Sequence, residues 1–359
     1  MRTSSRRLLR PLPTILLTAL LLTTSNQLPA DGLLKAPVDY EESLAERSQE
    51  AILIMTSDGV TATEDLILKI TVEGDVDHFA WLVPFPNQPE VNPADAALFK
   101  ELYDYVKKRN ETKRRTKSKK FLGGFGAAGG VDVLSREIVG SYDVAVVKED
   151  TAGTLNQWLE KEGYQPIKNG GDVLDFYRNK GYVFACIKVA QAQLEADTPV
   201  DLHPLRFTFP TGGRDGIYFP IKLTGLQNMS FGVNLYVFYR AWLNDTRNRF
   251  GYMKRGFQLT YRDWDTPQCQ PNAGKLWSKP RTDPFLRNMA RRIPTVSKLF
   301  AELYPEERFY LTNIQAYLFE PAAVRSWPED LWLFPYYTNQ RFIPHDVRPG
   351  GPAEGWKDE

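Results

Sequence analysis

Cysteine and histidine are scarce in this chain, with two of the first and three of the second among 359 residues. The histidines, His78, His203 and His345, lie far apart and form neither an H-E-x-x-H nor a close pair, so zinc-ligand spacing is missing. Cys186 and Cys269 allow one disulfide and no cysteine-built metal site. No G-x-S-x-G occurs, which removes the ordinary serine-hydrolase elbow. An excess of charge is lacking too. Setting aside four arginines near the start leaves 41 Lys+Arg against 44 Asp+Glu, a net charge of −3. A dedicated nucleic-acid binder would show a basic excess over the whole domain, so no nucleic-acid partner is expected. Beyond the first thirty residues no apolar run approaches the ~18 residues of a membrane helix, and no transmembrane span is expected in the remainder.

Those first thirty residues carry an address. Arg2, Arg6, Arg7 and Arg10 form a basic start, Thr14–Thr24 an apolar core, and Leu28-Pro29-Ala30 ends in a small residue that a signal peptidase accepts. The apolar core is far shorter than the ~20 residues of an anchor. We therefore expect a signal peptide over 1–30, cleavage near Ala30, and a soluble exported chain, periplasmic or extracellular. An oxidising compartment permits a Cys186–Cys269 bridge, although sequence leaves the pairing open.

The remainder is well supplied for a packed core, with 42% hydrophobic and 13% aromatic residues. Strand patterns cover 51–57, 66–72 and 78–83, where Pro84 and Pro86 stop the run. Asn92 and Pro93 suit a helix start, with Leu98, Phe99, Leu102 and Val106 on one face. Further helical patterns centre on Leu155, Trp158 and Leu159, on Val173, Leu174 and Tyr177, and on 296–304. Strand texture returns at 141–147, 182–189, 205–209, 217–223, 235–242 and 309–319. The expected class is α+β, with mainly antiparallel β-sheet blocks and inserted helices. The blocks at 51–84 and 205–242 are candidates for two related β-rich halves. The expected divisions are a β-rich segment with a helix (31–106), a basic then glycine-rich flexible loop (107–130), the main body (131–343) and a loose tail (344–359).

Several of these segments together resemble a known family. Leu66–Val91 (LILKITVEGDVDHFAWLVPFPNQPEV), Tyr142–Val147 (YDVAVV), Leu155–Tyr164 (LNQWLEKEGY), Leu205–Leu223 and Tyr310–Phe334 (YLTNIQAYLFEPAAVRSWPEDLWLF) resemble, in order, bacterial exported proteins of domain-of-unknown-function family 2330. The glycine-rich stretch 121–130 also has its counterpart there. The resemblance implies export and carries over no activity and no catalytic residue. Many members have cysteines just after the leader; this chain has none, so no disulfide pattern is transferred.

Individual chemistries are weak. Gly124-Phe125-Gly126-Ala127-Ala128-Gly129 fits a dinucleotide fingerprint in letters only, because a basic run precedes it where a strand is needed. The acids Glu73, Asp75 and Asp77, and Asp263 with Asp265, lack an EF-hand frame. Cys186 sits in an apolar strand, a poor setting for a nucleophile. The aromatic run Trp327, Trp332, Phe334, Tyr336 and Tyr337 reads as packing before it reads as a sugar platform. No cofactor is expected. The best lead is a basic arm made of Lys107, Lys108, Arg109, Lys113, Arg114, Arg115, Lys117, Lys119 and Lys120, which Glu111 alone offsets. Such an arm suits an anionic envelope component or the acidic face of another protein. A solubilising linker is the plainer reading. The overall expectation is a non-enzymatic binding or envelope-associated module, with a hydrolase of dispersed active-site residues as the alternative. Ser5-Arg6-Arg7-Leu8-Leu9 also resembles a twin-arginine export signal. A basic start alone serves the general route, so Arg6→Lys with Arg7→Lys should leave the level of mature protein outside the cytoplasm unchanged. Cytoplasmic accumulation of the doubly substituted precursor would assign the twin-arginine route instead.

Overall fold

The computed structural model describes residues 32–39, 45–46, 49–57, 61–69, 71–73, 78–113, 135–139, 142–190, 200–201, 203–212, 216–239, 243, 252–262, 293–305, 307 and 309–334. The leader, Arg114–Lys120, the glycine fingerprint, Cys269 and the tail lie outside them. In chain order the first elements are β1 (Leu33–Lys35), β2 (Ala45–Glu46), β3 (Gln49–Ser57), β4 (Ala62–Lys69), β5 (Thr71–Glu73), β6 (His78–Phe85) and β7 (Glu90–Pro93). Then come α1 (Ala97–Lys113), β8 (Ser135–Val139), β9 (Tyr142–Lys148), α2 (Thr154–Lys161), α3 (Gly171–Asn179) and β10 (Val183–Ala190). The remainder is β11 (Val200–Asp201), β12 (Leu205–Pro210), β13 (Ile217–Phe219), β14 (Phe231–Tyr239), β15 (Gln258–Arg262), α4 (Pro294–Leu303), β16 (Tyr310–Phe319), α5 (Pro321–Arg325) and β17 (Leu331–Leu333).

A seven-stranded sheet of order β15-β16-β14-β3-β4-β12-β7 forms the middle of the molecule. Its strands pair antiparallel except β14 with β3, which run parallel. The class is α+β with mostly antiparallel sheets. Strand periodicity explains how this sheet is buried on both sides. In β3, Ala51, Leu53 and Met55 enter one hydrophobic cluster while Ile52 and Ile54 enter another. Leu66 and Leu68 part from Ile67 in the same way, and Leu235 and Val237 part from Tyr236 and Phe238.

The Ile52 side is covered by α1 and α4, where Leu98, Phe99, Leu102, Val296 and Phe300 pack. Phe300 lies 4.7 Å from Phe238, centroid to centroid. A second sheet, five-stranded with order β1-β6-β10-β9-β8, covers the Leu53 side. Phe207 of β12 meets Trp81 at 6.1 Å and Phe85 at 5.0 Å across that gap. On the outer face of this cover sheet sit α2 and α3, with Tyr177 5.6 Å from Phe184. The order of layers is helices, large sheet, cover sheet, helices. The strand blocks 51–84 and 205–242 contribute neighbouring strands to the large sheet, as the β3–β14 and β4–β12 pairs show.

Several local expectations need correction, the first being that Pro84 does not stop the strand: β6 runs on to Phe85, with Pro84 in register with Phe184. Asn92 and Pro93 do not begin the helix; they belong to β7, which pairs with β12. Pairing at the sheet edge outweighs the local capping signal, and Asp95 caps instead, its Oδ1 accepting from the Ala97 amide at 2.8 Å. The strand expected over 217–223 stops at Phe219, and Leu223–Leu226 form a 3-10 turn. Pro220 withholds a ladder donor, and the carboxylate of Asp330 holds the next amides. The helix α1 also continues through Lys113, past the division expected at 106.

Phe207 is completely buried between the two sheets. Phe207→Ala is expected to cost about 3–5 kcal/mol, read as a lowered urea midpoint at unchanged m. A loss below ~1 kcal/mol would show that this contact does not carry the inter-sheet core.

Candidate functional site

The basic residues singled out from sequence begin on α1. Lys107 and Lys108 occupy its last described turns, with the Lys107 ammonium 5.5 Å from the centre of the Tyr103 ring. Arg109 and Lys113 belong to the same helix. The apolar face of α1 is bound to the large sheet, and Asn110 Nδ2 donates to Thr260 O at 3.0 Å on edge strand β15. The start of the basic run is thus mounted rigidly on the body.

Cys186 is buried in β10, in register with Leu82 and Ala145. That agrees with a small apolar packing residue. His78 and His203 are separated by the fold. The His78 ring meets Tyr164 edge-on at 5.8 Å, whereas His203 accepts the Tyr142 hydroxyl at its backbone oxygen. Trp332 stacks 5.1 Å from Tyr218, and Trp327 lies beneath Arg255 at 4.7 Å. Both rings are packing elements. Among the described residues no group of three or more His, Cys, Asp or Glu side chains is placed to hold a metal ion.

Sequence reasoning passed over the buried polar joints. Asp330 is 1% exposed and accepts four hydrogen bonds. Its Oδ1 takes the Ile221 amide at 3.0 Å, the Lys222 amide at 2.8 Å and the Tyr177 hydroxyl at 3.0 Å, and its Oδ2 takes the Tyr218 hydroxyl at 3.0 Å. The Tyr177 oxygen in turn accepts the Leu223 amide at 3.1 Å. One carboxylate therefore ties α3, the 3-10 turn and β17 together. Burial pushes its pKa up, opposed by the amides and hydroxyls that stabilise the anion. Lys222 is anchored beside it on Arg325 O and Trp327 O, at 2.6 and 2.5 Å, and burial lowers its pKa. Both tyrosines are fully buried, and the group joins α3, the 3-10 turn and the start of β17.

Glu149 works in the same manner. Its Oε1 accepts the Gly153 and Leu155 amides at the start of α2, and its Oε2 pairs with Arg178 of α3 at 3.2 Å. Glu101 on α1 accepts the Thr295 and Val296 amides at the start of α4. Asp65 receives the Tyr304 and Thr208 hydroxyls. Each acid joins two elements, consecutive ones for Glu149 and elements far apart in sequence for the others. The only local signal was a charged residue set among bulky apolar ones, as in Trp327–Leu333.

A second titratable group lies at one end of the cover sheet. Lys35, Ala80, Lys188 and Asp143 form one row across β1, β6, β10 and β9. Lys188 pairs with Glu162, lies 3.7 Å from Asp143 and sits 5.7 Å from the Trp158 ring centre. Lys35 Nζ instead donates to Pro166 O at 2.9 Å. Burial, then the charge of Lys168, lowers its pKa to about 8. Nearby Tyr164 is raised to about 12 by burial and then by Glu162 and Asp143.

Glu64, fully buried between the sheets, accepts the Tyr218 amide at Oε2 while its Oε1 has no hydrogen-bond partner. Burial holds its pKa well above the ordinary carboxylate range; the Tyr218 amide opposes the rise and the Asp65 charge adds to it. A folded pKa above the unfolded one gives stability that is complete below the unfolded value, about 4.3, and is lost as pH rises toward the folded value. Glu64→Gln mimics the neutral acid. The variant should therefore gain on the wild type by up to ~1.4 kcal/mol for each pH unit in that window, measured by urea unfolding at pH 5 and 8. An equal difference at both pH values would contradict a neutral Glu64.

Comparison with known proteins adds little chemistry. No curated protein matches this chain. Among solved structures, the crystal structure of baculovirus P35 superimposes with a TM-score of 0.38 at 12% identity, over 60% of this chain and 70% of that one. A superposition that loose carries no argument about fold or function. The sequence profile of domain of unknown function 2330, described as an uncharacterized protein conserved in bacteria, matches residues 38–329, and the chain belongs to that family.

Proposed function

We propose that this protein is an exported, non-enzymatic binding module that holds an anionic component of the bacterial cell envelope. The contact is the basic end of α1, Lys107, Lys108, Arg109 and Lys113, continued by Arg114, Arg115, Lys117, Lys119 and Lys120. The observation that carries this reading is the mount. A mere linker needs no fixed origin, yet here the first basic turns belong to a helix packed on the large sheet and pinned through Asn110 to Thr260. The field of closely spaced cations on a slightly negative body favours anionic surfaces and repels little of its own body. The buried acids Asp330, Glu149 and Asp65, and the partly exposed Glu101, support the non-enzymatic part, because each is occupied in joining elements. No helix among the described residues is long and apolar enough to cross a membrane, which fits attachment from the surface.

Each Lys or Arg near an anionic surface contributes about 1 kcal/mol at physiological salt. Replacing Lys107, Lys108 and Arg109 together by Ser should weaken retention on phosphatidylglycerol vesicles by roughly a hundredfold, with a smaller salt dependence. Thermal unfolding of the variant should match the parent. Unchanged vesicle retention, also after deletion of Arg109–Lys120, would reduce the segment to a solubilising linker.

A further inference from the structure

We propose that the open end of the large sheet binds a neutral polysaccharide chain along the row Glu50, Asn234, Gln315 and Gln258. Strand pairing puts these four side chains in line across β3, β14, β16 and β15. Asn234 is in register with both Glu50 and Gln315, and Gln315 with Gln258. Strand alternation turns the row to the Ile52 side, the side that α1 covers further along. Three strand spacings make it roughly 14 Å long, room for a short run of sugar rings.

Cover by α1 ends just before this row. Tyr105 meets Tyr261 edge-on at 6.0 Å and Asn110 holds Thr260 O, while Asn313, Tyr236 and Tyr261 are buried. In the row itself Glu50, Asn234 and Gln315 are half-buried and Gln258 is exposed. Further along β16, Tyr317 is 50% and Leu318 58% exposed. A bulge produces that pair: Val233 faces Ala316 and Phe231 faces Phe319, which leaves Tyr317 and Leu318 together opposite Gly232. The core takes Ala316 and Phe319 and neither residue between them. β15 carries another register shift at Thr260, beside the same row. Bulges re-aim side chains and concentrate next to functional sites.

A solvated sheet end needs only loose charged side chains. This row is instead fixed from behind. Asn234 Oδ1 accepts from Asn313 Nδ2 at 2.7 Å and from Gln315 Nε2 at 2.9 Å. Its Nδ2 donates to Glu50 Oε1 at 2.9 Å and to the Tyr236 hydroxyl at 3.1 Å. Asn313 is held in turn by Leu235 O at 3.0 Å and by the Thr260 hydroxyl. Side chains locked in this way present donors and acceptors at fixed places, so a ligand orders little on binding. Amides both donate and accept, as sugar hydroxyls do, and the Tyr317 ring offers an apolar face to the C–H side of a sugar. Glu50 is the one charged member of the row, so an anionic chain is disfavoured and the occupant is neutral. The contact relies on hydrogen bonds and stacking, independent of the charge of the basic run.

The test runs the full chain in native gels that contain soluble starch, arabinoxylan, glucomannan or laminarin, against a gel without polysaccharide. At least one of these neutral chains should slow it. Tyr317→Ala and Gln315→Ala should each weaken that retardation about tenfold, the loss of one stacked or hydrogen-bonded group. Thermal unfolding of Tyr317→Ala should match the parent, because the side chain is half exposed. Retardation should persist in high salt and in the variant with Lys107, Lys108 and Arg109 replaced by Ser, whereas Tyr317→Ala should keep full retention on phosphatidylglycerol vesicles. The two readings therefore fail separately. No retardation by any of the four chains, or retardation that both Tyr317→Ala and Gln315→Ala leave intact, would overturn the proposal.

Discussion

The large sheet is buried on both faces, and that requirement organises the rest of the molecule. A strand with one solvated face can alternate apolar and polar residues; β3, β4 and β14 cannot. Their inner stretches are apolar in both parities, so one face needs helices α1 and α4 and the other needs a second sheet. The cover sheet has the same requirement one layer out, met by α2 and α3. Removing any layer would expose a continuous apolar surface, so the layers fold as one cooperative body.

Apolar burial has no direction, and the placement of helices on such faces needs something more specific. Buried and partly buried carboxylates supply it. Glu101 fixes the start of α4 against α1, Glu149 fixes α2 against α3, and Asp330 fixes the 3-10 turn against α3 and β17. A carboxylate at a helix start satisfies amides that the helix leaves open, and its charge is favoured by the helix dipole. The same groups would be candidates for acid–base chemistry if they faced a cleft. Here their oxygens are taken up by main-chain amides, by the Tyr177 and Tyr218 hydroxyls and by the Arg178 guanidinium. Lys35 differs because its acceptor is a neutral carbonyl and Lys168 adds a like charge.

Much of the layout was legible in the residues. Continuous apolar strands, the Leu155–Trp158–Leu159 and Val173–Leu174–Tyr177 helical faces and the final long strand all appear where periodicity placed them. Short elements were less legible. β7, β8 and β17 are three to five residues long, too short for a period to register, and each exists because a neighbouring strand supplies its partners. The Asn92-Pro93 pair shows the same limit from the other side, since a sound local capping signal lost to edge pairing with β12.

By itself the sequence determined the class of the fold, the family, the near balance of charge, the basic run after α1 and the absence of familiar zinc or serine-hydrolase spacing. Those are properties of composition and of patterns within ten or twenty neighbouring residues. Only tertiary structure decided that β3 lies parallel to β14, that Asp330 joins Tyr177 to Tyr218, and that Lys35 lies in one row with Lys188 under Pro166. These pairs are separated by more than a hundred residues in most cases. Their energies depend on desolvation and on which charge faces which, quantities that exist only after the chain has closed on itself.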